Sequence, residues 1–201
     1  MRTIVLSSLA LACSLLATLP AAAQFWDPRA LDGDPATATT PLAPRLAGLG
    51  KLDHPVTTTK NPDSQAFFAQ GMNLVYAFNH PEAVRAFRES ARLDPDNAMA
   101  WWGQALALGP NLNLPMQPEA IAPAWDSAQR ALRLKGRASP VERSLIEALA
   151  TRYSKDPKAD RTTLDRAYAD AMAKVAAAHP EHLGAATLYA GHGIDGRDLG
   201  A

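Results

Sequence analysis

The fold is decided by residues 67–95, which read FFAQGMNLVYAFNHPEAVRAFRESARLDP. Apolar residues in the first half of this stretch recur at three- and four-residue spacing, which predicts the core-facing side of a helix. These residues are Phe67, Leu74, Val75 and Phe78. Pro81 then suits the first turn of a second helix, and Asp94-Pro95 ends that helix. The stretch therefore predicts two short antiparallel helices joined by a tight turn.

The same signals continue on both sides of this hairpin. Pro62 follows Asn61 at one helix start, and Ser139-Pro140-Val141-Glu142 has the form of a capping box at another. Gly109-Pro110 and His179-Pro180 are typical of helix ends. The predicted helices cover residues 62–78, 81–94, 98–108, about 118–135, 140–153 and 161–178. No segment reads as a strand, so the sequence predicts an all-α fold.

The hairpin recurs along the chain. A shift of 34 residues, a common helical-repeat period, places Phe67 on Trp101 and Gly71 on Ala105. Later positions match after seven more residues, because the loop from 109 to 118 acts as an insertion. The positions that share the pattern are Phe67, Gly71, Ala83, Phe87, Pro95, Trp101, Ala105, Ala124 and Ala131.

This order of an aromatic residue, a small residue, Ala, Phe and a helix-ending Pro resembles the tetratricopeptide repeat. The resemblance covers residues 61–190. It implies a right-handed superhelix of antiparallel helix pairs, with about three units and a partial fourth helix. An ordinary helical bundle is the alternative, and it would show the same apolar stripes without the 34-residue shift.

Two segments resemble a narrower group, the exported bacterial tetratricopeptide proteins of unassigned function. They are residues 76–80 (YAFNH) and 102–106 (WGQAL), the second followed by Gly109-Pro110-Asn111. The resemblance implies protein or peptide binding and no catalytic reaction. Proteins of this group continue with further helices. We therefore expect the chain to be cut short at its C-terminus and to associate with itself through that end.

The two ends of the chain differ from the repeat region. Residues 1–23 combine Arg2, an uncharged apolar stretch and Ala21-Ala22-Ala23, which predicts a signal peptide cleaved before Gln24 and a periplasmic or secreted protein. An uncleaved anchor and lipid attachment at Cys13 are the alternatives. Residues 24–60 are rich in Pro and Thr and predict a linker or arm, and residues 191–201 predict a Gly-rich tail.

Composition excludes several classes of partner. Twenty Lys and Arg residues balance 20 Asp and Glu residues, so no basic excess indicates nucleic acid. No basic block indicates an anionic membrane, and no membrane insertion is expected after signal cleavage. Cys13 is the single cysteine, and it lies in the signal peptide, so no disulfide is expected in the mature chain.

The tetratricopeptide resemblance also implies where a partner binds. In such arrays the first helix of each unit lines a concave groove. Apolar and aromatic residues predominate at the matching positions, which suits a protein or peptide partner. The expected groove residues are Gln65, Phe68, Met72, Tyr76, Met99, Trp102 and Leu106. The alternative for Phe68 and Trp102 is that they complete the core.

The loop residues and the histidines are the remaining candidates for binding. Asn79, His80, Asn111 and Asn113 are expected to contribute loop contacts. A small-ligand or metal-binding module that uses these loop residues and the histidines is the alternative function. His179, His182 and His192 fall short of a metal site, since Pro180 keeps the first two off one regular helical face. We predict no metal, no cofactor and no catalytic residue.

Overall fold

A computed structural model describes residue 31, residues 33–52 and residues 57–193, with side chains as far as residue 190. Within these ranges the chain forms seven α-helices and no strand, which confirms the all-α prediction. The helices are α1 Pro62–Tyr76, α2 His80–Leu93, α3 Ala98–Leu108, α4 Pro118–Leu134, α5 Pro140–Ala150, α6 Arg161–Ala178 and α7 Leu183–Gly193. The predicted signal peptide with Cys13 and residues 194–201 of the predicted tail lie outside the described residues.

Most helices begin where a polar side chain satisfies the first free backbone N–H groups. Asn61 Oδ1 accepts from the N–H groups of Asp63 and Ser64, and Asn97 Oδ1 accepts from Met99. Ser139 and Glu142 form both hydrogen bonds of the predicted capping box at α5. These caps leave few unsatisfied donors at the start of each helix.

Three predicted boundaries need correction. The first helix ends at Tyr76, so Phe78 lies beyond it, with a positive φ of 58° and a half-exposed side chain. The fifth helix ends at Ala150 rather than near Tyr153. α7 passes through Gly191, where a break was predicted, and ends at Gly193.

The first helices of successive pairs, α1, α3 and α5, lie side by side and point the same way. Asn97 Nδ2, at the start of α3, donates to Ser64 Oγ at the start of α1, at 3.1 Å. Trp102 Nε1 of α3 donates to the Leu145 carbonyl of α5, also at 3.1 Å, and further along both segments the Tyr153 hydroxyl donates to the Ala105 carbonyl, so α3 and α5 are parallel. Because α2 ends beside the start of α1, where Ser90 Oγ bonds the Ser64 carbonyl, α1 and α2 are antiparallel.

Helix α3 is the centre of the core. All eleven of its residues are buried. The fully buried Phe87 ring of α2 lies between Gly71 of α1 and Gly103 of α3, where added Cβ atoms would overlap the ring. The residues that share the repeat pattern pack in this core, except that Pro95 is half-buried and accepts a hydrogen bond from Trp101 Nε1 at 3.0 Å.

The described part of the arm docks on the first hairpin. The Leu42 N–H donates to Glu89 Oε2 at 2.8 Å, and the Leu46 N–H donates to Gln70 Oε1 at 2.9 Å. Arg88 Nη2 donates to the Gly33 carbonyl at 2.8 Å. The arm is therefore attached to α1 and α2 by buried or half-buried side chains of both helices.

Candidate functional site

The concave groove expected from the sequence is not an open surface. Five of its seven residues are at most 3% exposed and belong to the core, so their assignment to a groove is wrong. They are Phe68, Met72, Met99, Trp102 and Leu106. For the three residues of α3 the physical reason is that this helix has neighbours on all sides, so its supposed outer face is covered as well. On α1, Phe68 packs against the Phe87 ring of α2, with ring centroids 5.5 Å apart. Of the other two residues, Gln65 is half-buried and Tyr76 is 41% exposed.

Some of the exposed apolar side chains lie at one end of the helical array, and the others lie in the arm and on α7. The segments that follow α1, α3 and α5 are residues 77–79, 109–117 and 151–160. They lie at the same end because the three helices are parallel, and we call this end the turn edge. Tyr76 and Phe78 beside the first turn are 41% and 50% exposed, and Leu112 in the second is 56% exposed. Aromatic residues with this exposure are common anchors of protein contacts.

The C-terminal end of α1 keeps the Phe78 side chain at the surface. The Asn79 N–H donates to the Leu74 carbonyl at 2.8 Å, and the Phe78 N–H donates to the Val75 carbonyl at 3.0 Å. This pair of bonds is a Schellman motif, whose left-handed residue is usually glycine. Phenylalanine at that residue is strained by about 1–2 kcal/mol. The motif leaves the phenyl ring at the surface beside His80, with ring centroids 6.2 Å apart.

The predicted loop residues lie in the first two turns of the turn edge. Asn79 is exposed and makes no side-chain cap bond at the start of α2. Burial lowers the pKa of His80, and a backbone hydrogen bond at Phe78 opposes that shift, so the neutral imidazole is favoured. In the second turn, Asn111 and Leu114 exchange backbone hydrogen bonds, while Asn111 Oδ1 accepts from the Asn113 N–H at 2.9 Å. Asn111 therefore closes a tight loop whose tip carries Leu112.

The histidines near the end of the chain serve local structure. His179 Nε2 lies 3.2 Å from Ser144 Oγ of α5, and His182 Nδ1 accepts from the Ala185 N–H at the start of α7. The His192 side chain lies outside the described residues. Among the residues that the structure describes, no three His, Cys, Asp or Glu side chains converge as metal ligands.

A buried polar cluster joins α5 and α6 to α3. Arg152 pairs with Asp165 at 2.8 Å and lies over the Tyr168 ring, 4.9 Å from its centroid. Tyr153 donates its hydroxyl to the Ala105 carbonyl. Burial raises the pKa of Tyr153 to about 12 and raises that of Tyr168 as well, against the opposing effect of Arg152. Both phenols keep their protons at neutral pH, so this cluster fits a structural role.

The buried side chain of Glu142 has an acceptor without a partner, which the capping-box pattern did not reveal. Glu142 is 1% exposed, and its Oε2 accepts from the Ser139 N–H and the Thr58 hydroxyl. Its Oε1 is buried and has no hydrogen-bond partner. Glu142 also lines a cavity of about 340 Å³ at the end of the array opposite to the turn edge.

Comparisons of the chain with family models, with curated proteins and with solved structures found no match. Within the described ranges, no helix combines the length and the apolar character that crossing a membrane requires.

Proposed function

We propose that this chain is a non-catalytic scaffold that binds a protein or peptide, and that its helices form a tetratricopeptide-like right-handed superhelix. Antiparallel packing of α1 with α2 and parallel packing of α1, α3 and α5 support the repeat architecture. The glycines on both sides of Phe87 support it further, since such arrays use small residues where helices approach closely. Helical repeats of this kind generally present extended binding surfaces.

The observation that carries the proposal is the exposed aromatic and aliphatic surface of the turn edge. Tyr76, Phe78 and Leu112 expose 41–56% of their surfaces, although most large apolar residues in the described part of the chain are buried. Contact with apolar side chains of a partner would remove them from water, and the neighbouring Asn79 and Asn113 supply polar groups at the rim. The partner therefore presents an apolar segment to the turn edge rather than to a concave groove.

Export to the periplasm or cell exterior belongs to the same proposal. It rests on the charge, apolar stretch and small residues of positions 1–23, with cleavage between Ala23 and Gln24. Intact mass of the exported protein is the measurement that checks it, since an uncleaved leader adds the mass of those residues.

The binding proposal is tested with single charged substitutions and one captured partner. The partner is first crosslinked to the wild-type protein in cell-envelope extract, identified, purified and titrated against each variant. Tyr76→Asp, Phe78→Asp and Leu112→Asp should each weaken its binding by about 1–2 kcal/mol, because each places a charge in an apolar contact. Leu46→Asp is the matched control, since Leu46 has the same 41% exposure as Tyr76 but lies in the arm. Equal affinity of all four variants would refute the turn edge as the binding surface.

A further inference from the structure

The start edge of the array, where α1, α3 and α5 begin, holds a cavity of about 340 Å³. Its walls come from residues 58–60 of the arm, residues 94–99 between α2 and α3, and residues 137, 138 and 142 before and within α5. We call it the start-edge cavity. It lies at the opposite end of the helices from Phe78, so it is separate from the proposed partner surface.

Glu142, which lines the start-edge cavity, has an acceptor atom that the protein itself does not satisfy. Glu142 is 1% exposed, and its Oε1 has no hydrogen-bond partner. None of the donors that line the cavity bonds Oε1: the Thr58 hydroxyl donates to Glu142 Oε2, Asn97 Nδ2 donates to Ser64, and the Lys60 ammonium does not pair with Glu142. A buried acceptor without a donor costs about 1–3 kcal/mol, and more when it is charged. A ligand that supplies a donor at Oε1 would recover this free energy.

The lining indicates which kind of donor fits. Acidic groups outnumber basic ones, since Asp94, Asp96 and Glu142 face Lys60 and Arg137. Arg137 is already paired with Asp96 at 2.7 Å. Apolar wall residues complete the lining, and they suit a short hydrocarbon chain. They are Ala98, Met99 and Ala138.

We propose that the start-edge cavity binds the ammonium group of a primary alkylamine, with Glu142 Oε1 as the acceptor and the apolar wall against its methylene groups. An ammonium adds charge–charge attraction to its hydrogen bond with the buried carboxylate, whereas an alcohol supplies the hydrogen bond alone, which favours the ammonium. The amine is either a free small molecule or the side chain of a lysine residue. This inference goes beyond the proposed scaffold function and does not depend on it.

The test is a calorimetric titration of the full-length chain with n-butylammonium chloride, and with 1-butanol as the uncharged probe. The wild type should bind the amine saturably, and at least about tenfold more tightly than the alcohol. Glu142→Gln should abolish amine binding, yet it should still fold, because glutamine is also accepted in a capping box. Glu147→Gln is the matched control: it removes the same charge from the same helix, but its side chain is 53% exposed. It should bind the amine as the wild type does.

A second variant keeps the test decisive if Glu142→Gln does not fold. Ala138→Leu retains the carboxylate and fills the cavity with a larger side chain, so it should also lose amine binding. Wild-type protein without saturable amine binding would overturn the proposal. Amine binding that persists in both variants would overturn it as well.

Nα-acetyl-lysine methylamide distinguishes the two sources of the amine. Binding tighter than that of n-butylammonium supports the proposal and assigns the site to a lysine side chain of another protein. Amine binding without binding of the lysine derivative supports the proposal and assigns the site to a free small amine.

Discussion

Phe78 occupies the left-handed position of a Schellman motif, where glycine is the usual residue. Glycine adopts this conformation without steric cost, and the phenyl ring is 50% exposed, so its removal forfeits little burial. Phe78→Gly should therefore leave the free energy of unfolding unchanged or raise it by up to about 1 kcal/mol. The same variant should bind the partner more weakly. Urea denaturation and the partner titration measure the two effects.

Phe78→Ala is the control for this prediction, because it removes the ring but keeps a side chain in the left-handed conformation. It should weaken partner binding like the glycine variant without any gain in stability. If Phe78→Gly instead lowers the free energy of unfolding by more than about 1 kcal/mol, the ring is a packing residue and not a contact residue.

For single residues, the sequence predicts interactions that are local in the chain but not those between residues distant in sequence. The capping role of Glu142 follows from Ser139-Pro140-Val141-Glu142, because a capping box is local. The unsatisfied Oε1 does not follow from this motif, because its surroundings include Thr58 and Asn97, which are distant in sequence. Phe78 fitted the apolar stripe of α1, but Pro81 starts the next helix so soon that α1 must end before it. The strain at Phe78 was therefore not visible in the apolar periodicity.

At the scale of helices, the contact of α1, α2 and α3 depends on two glycines. The Phe87 ring is fully buried between Gly71 and Gly103, and a Cβ on Gly71 would lie 2.6 Å from its Cε1 atom. A Cβ on Gly103 would overlap the ring on the other side. With glycine backbone on both sides the ring has little room to move. Gly103→Ala should therefore lower the free energy of unfolding by about 1–3 kcal/mol, measured by urea denaturation.

Gly136→Ala is the matched control, because an added Cβ there meets no atom within 4 Å. Alanine should be neutral or slightly stabilising at that position, since it reduces the entropy of the unfolded chain. Equal stability of the two alanine variants would contradict the close packing around Phe87.

The helices themselves could be predicted from sequence, but the groove could not. Caps and prolines gave the starts of α1 and α5, because both signals act within one turn. The groove prediction assigned Met99, Trp102 and Leu106 to an outer face of α3. Yet α3 reads AMAWWGQALAL, without one charged residue, and a helix that is apolar all round is normally buried on every side. The composition of α3 therefore predicts burial on every side, in conflict with the groove positions that the tetratricopeptide resemblance implies.

For the whole molecule, self-association through the C-terminal end stays a prediction. Leu183 of α7 is 60% exposed, and Ala186 and Ala190, also exposed, follow at helical spacing. Burial of this apolar stripe between two copies would favour a dimer. Light scattering should show a mass that rises with concentration for the wild type and stays monomeric for Leu183→Glu. A wild-type mass that is monomeric at every concentration would contradict the prediction.

The docked arm ties the stability of the whole molecule to pH through Glu89. This carboxylate is 2% exposed and accepts from both Arg92 Nε and Nη2, at 2.8 and 2.7 Å, and from the Leu42 N–H of the arm at 2.8 Å. Burial alone would raise its pKa. The hydrogen bonds from Arg92 and Leu42 outweigh burial and hold the pKa below its ordinary value of 4.5.

The sign of the pH effect follows from this depressed pKa. A carboxyl group that holds its proton more weakly in the folded than in the unfolded state stabilises the fold above its ordinary pKa. That stabilisation is lost as the pH falls from 4.5 through the folded-state pKa of Glu89. The melting temperature of the wild type should therefore exceed that of Glu89→Gln at about pH 7, and the difference should shrink towards about pH 3.

Two further measurements complete this prediction. Glu119→Gln removes an exposed carboxylate from α4. The difference in melting temperature between this variant and the wild type should therefore not shrink towards acidic pH as it does for Glu89→Gln. At neutral pH, trypsin should cleave after Arg45 and Lys51 faster in Glu89→Gln, because a neutral amide oxygen accepts the Leu42 N–H more weakly than the carboxylate does. A difference in melting temperature that stays constant across the acid range, with unchanged cleavage, would mean that the Glu89 carboxylate does not hold the arm. In that case the attachment would depend on the Gln70 and Arg88 contacts instead.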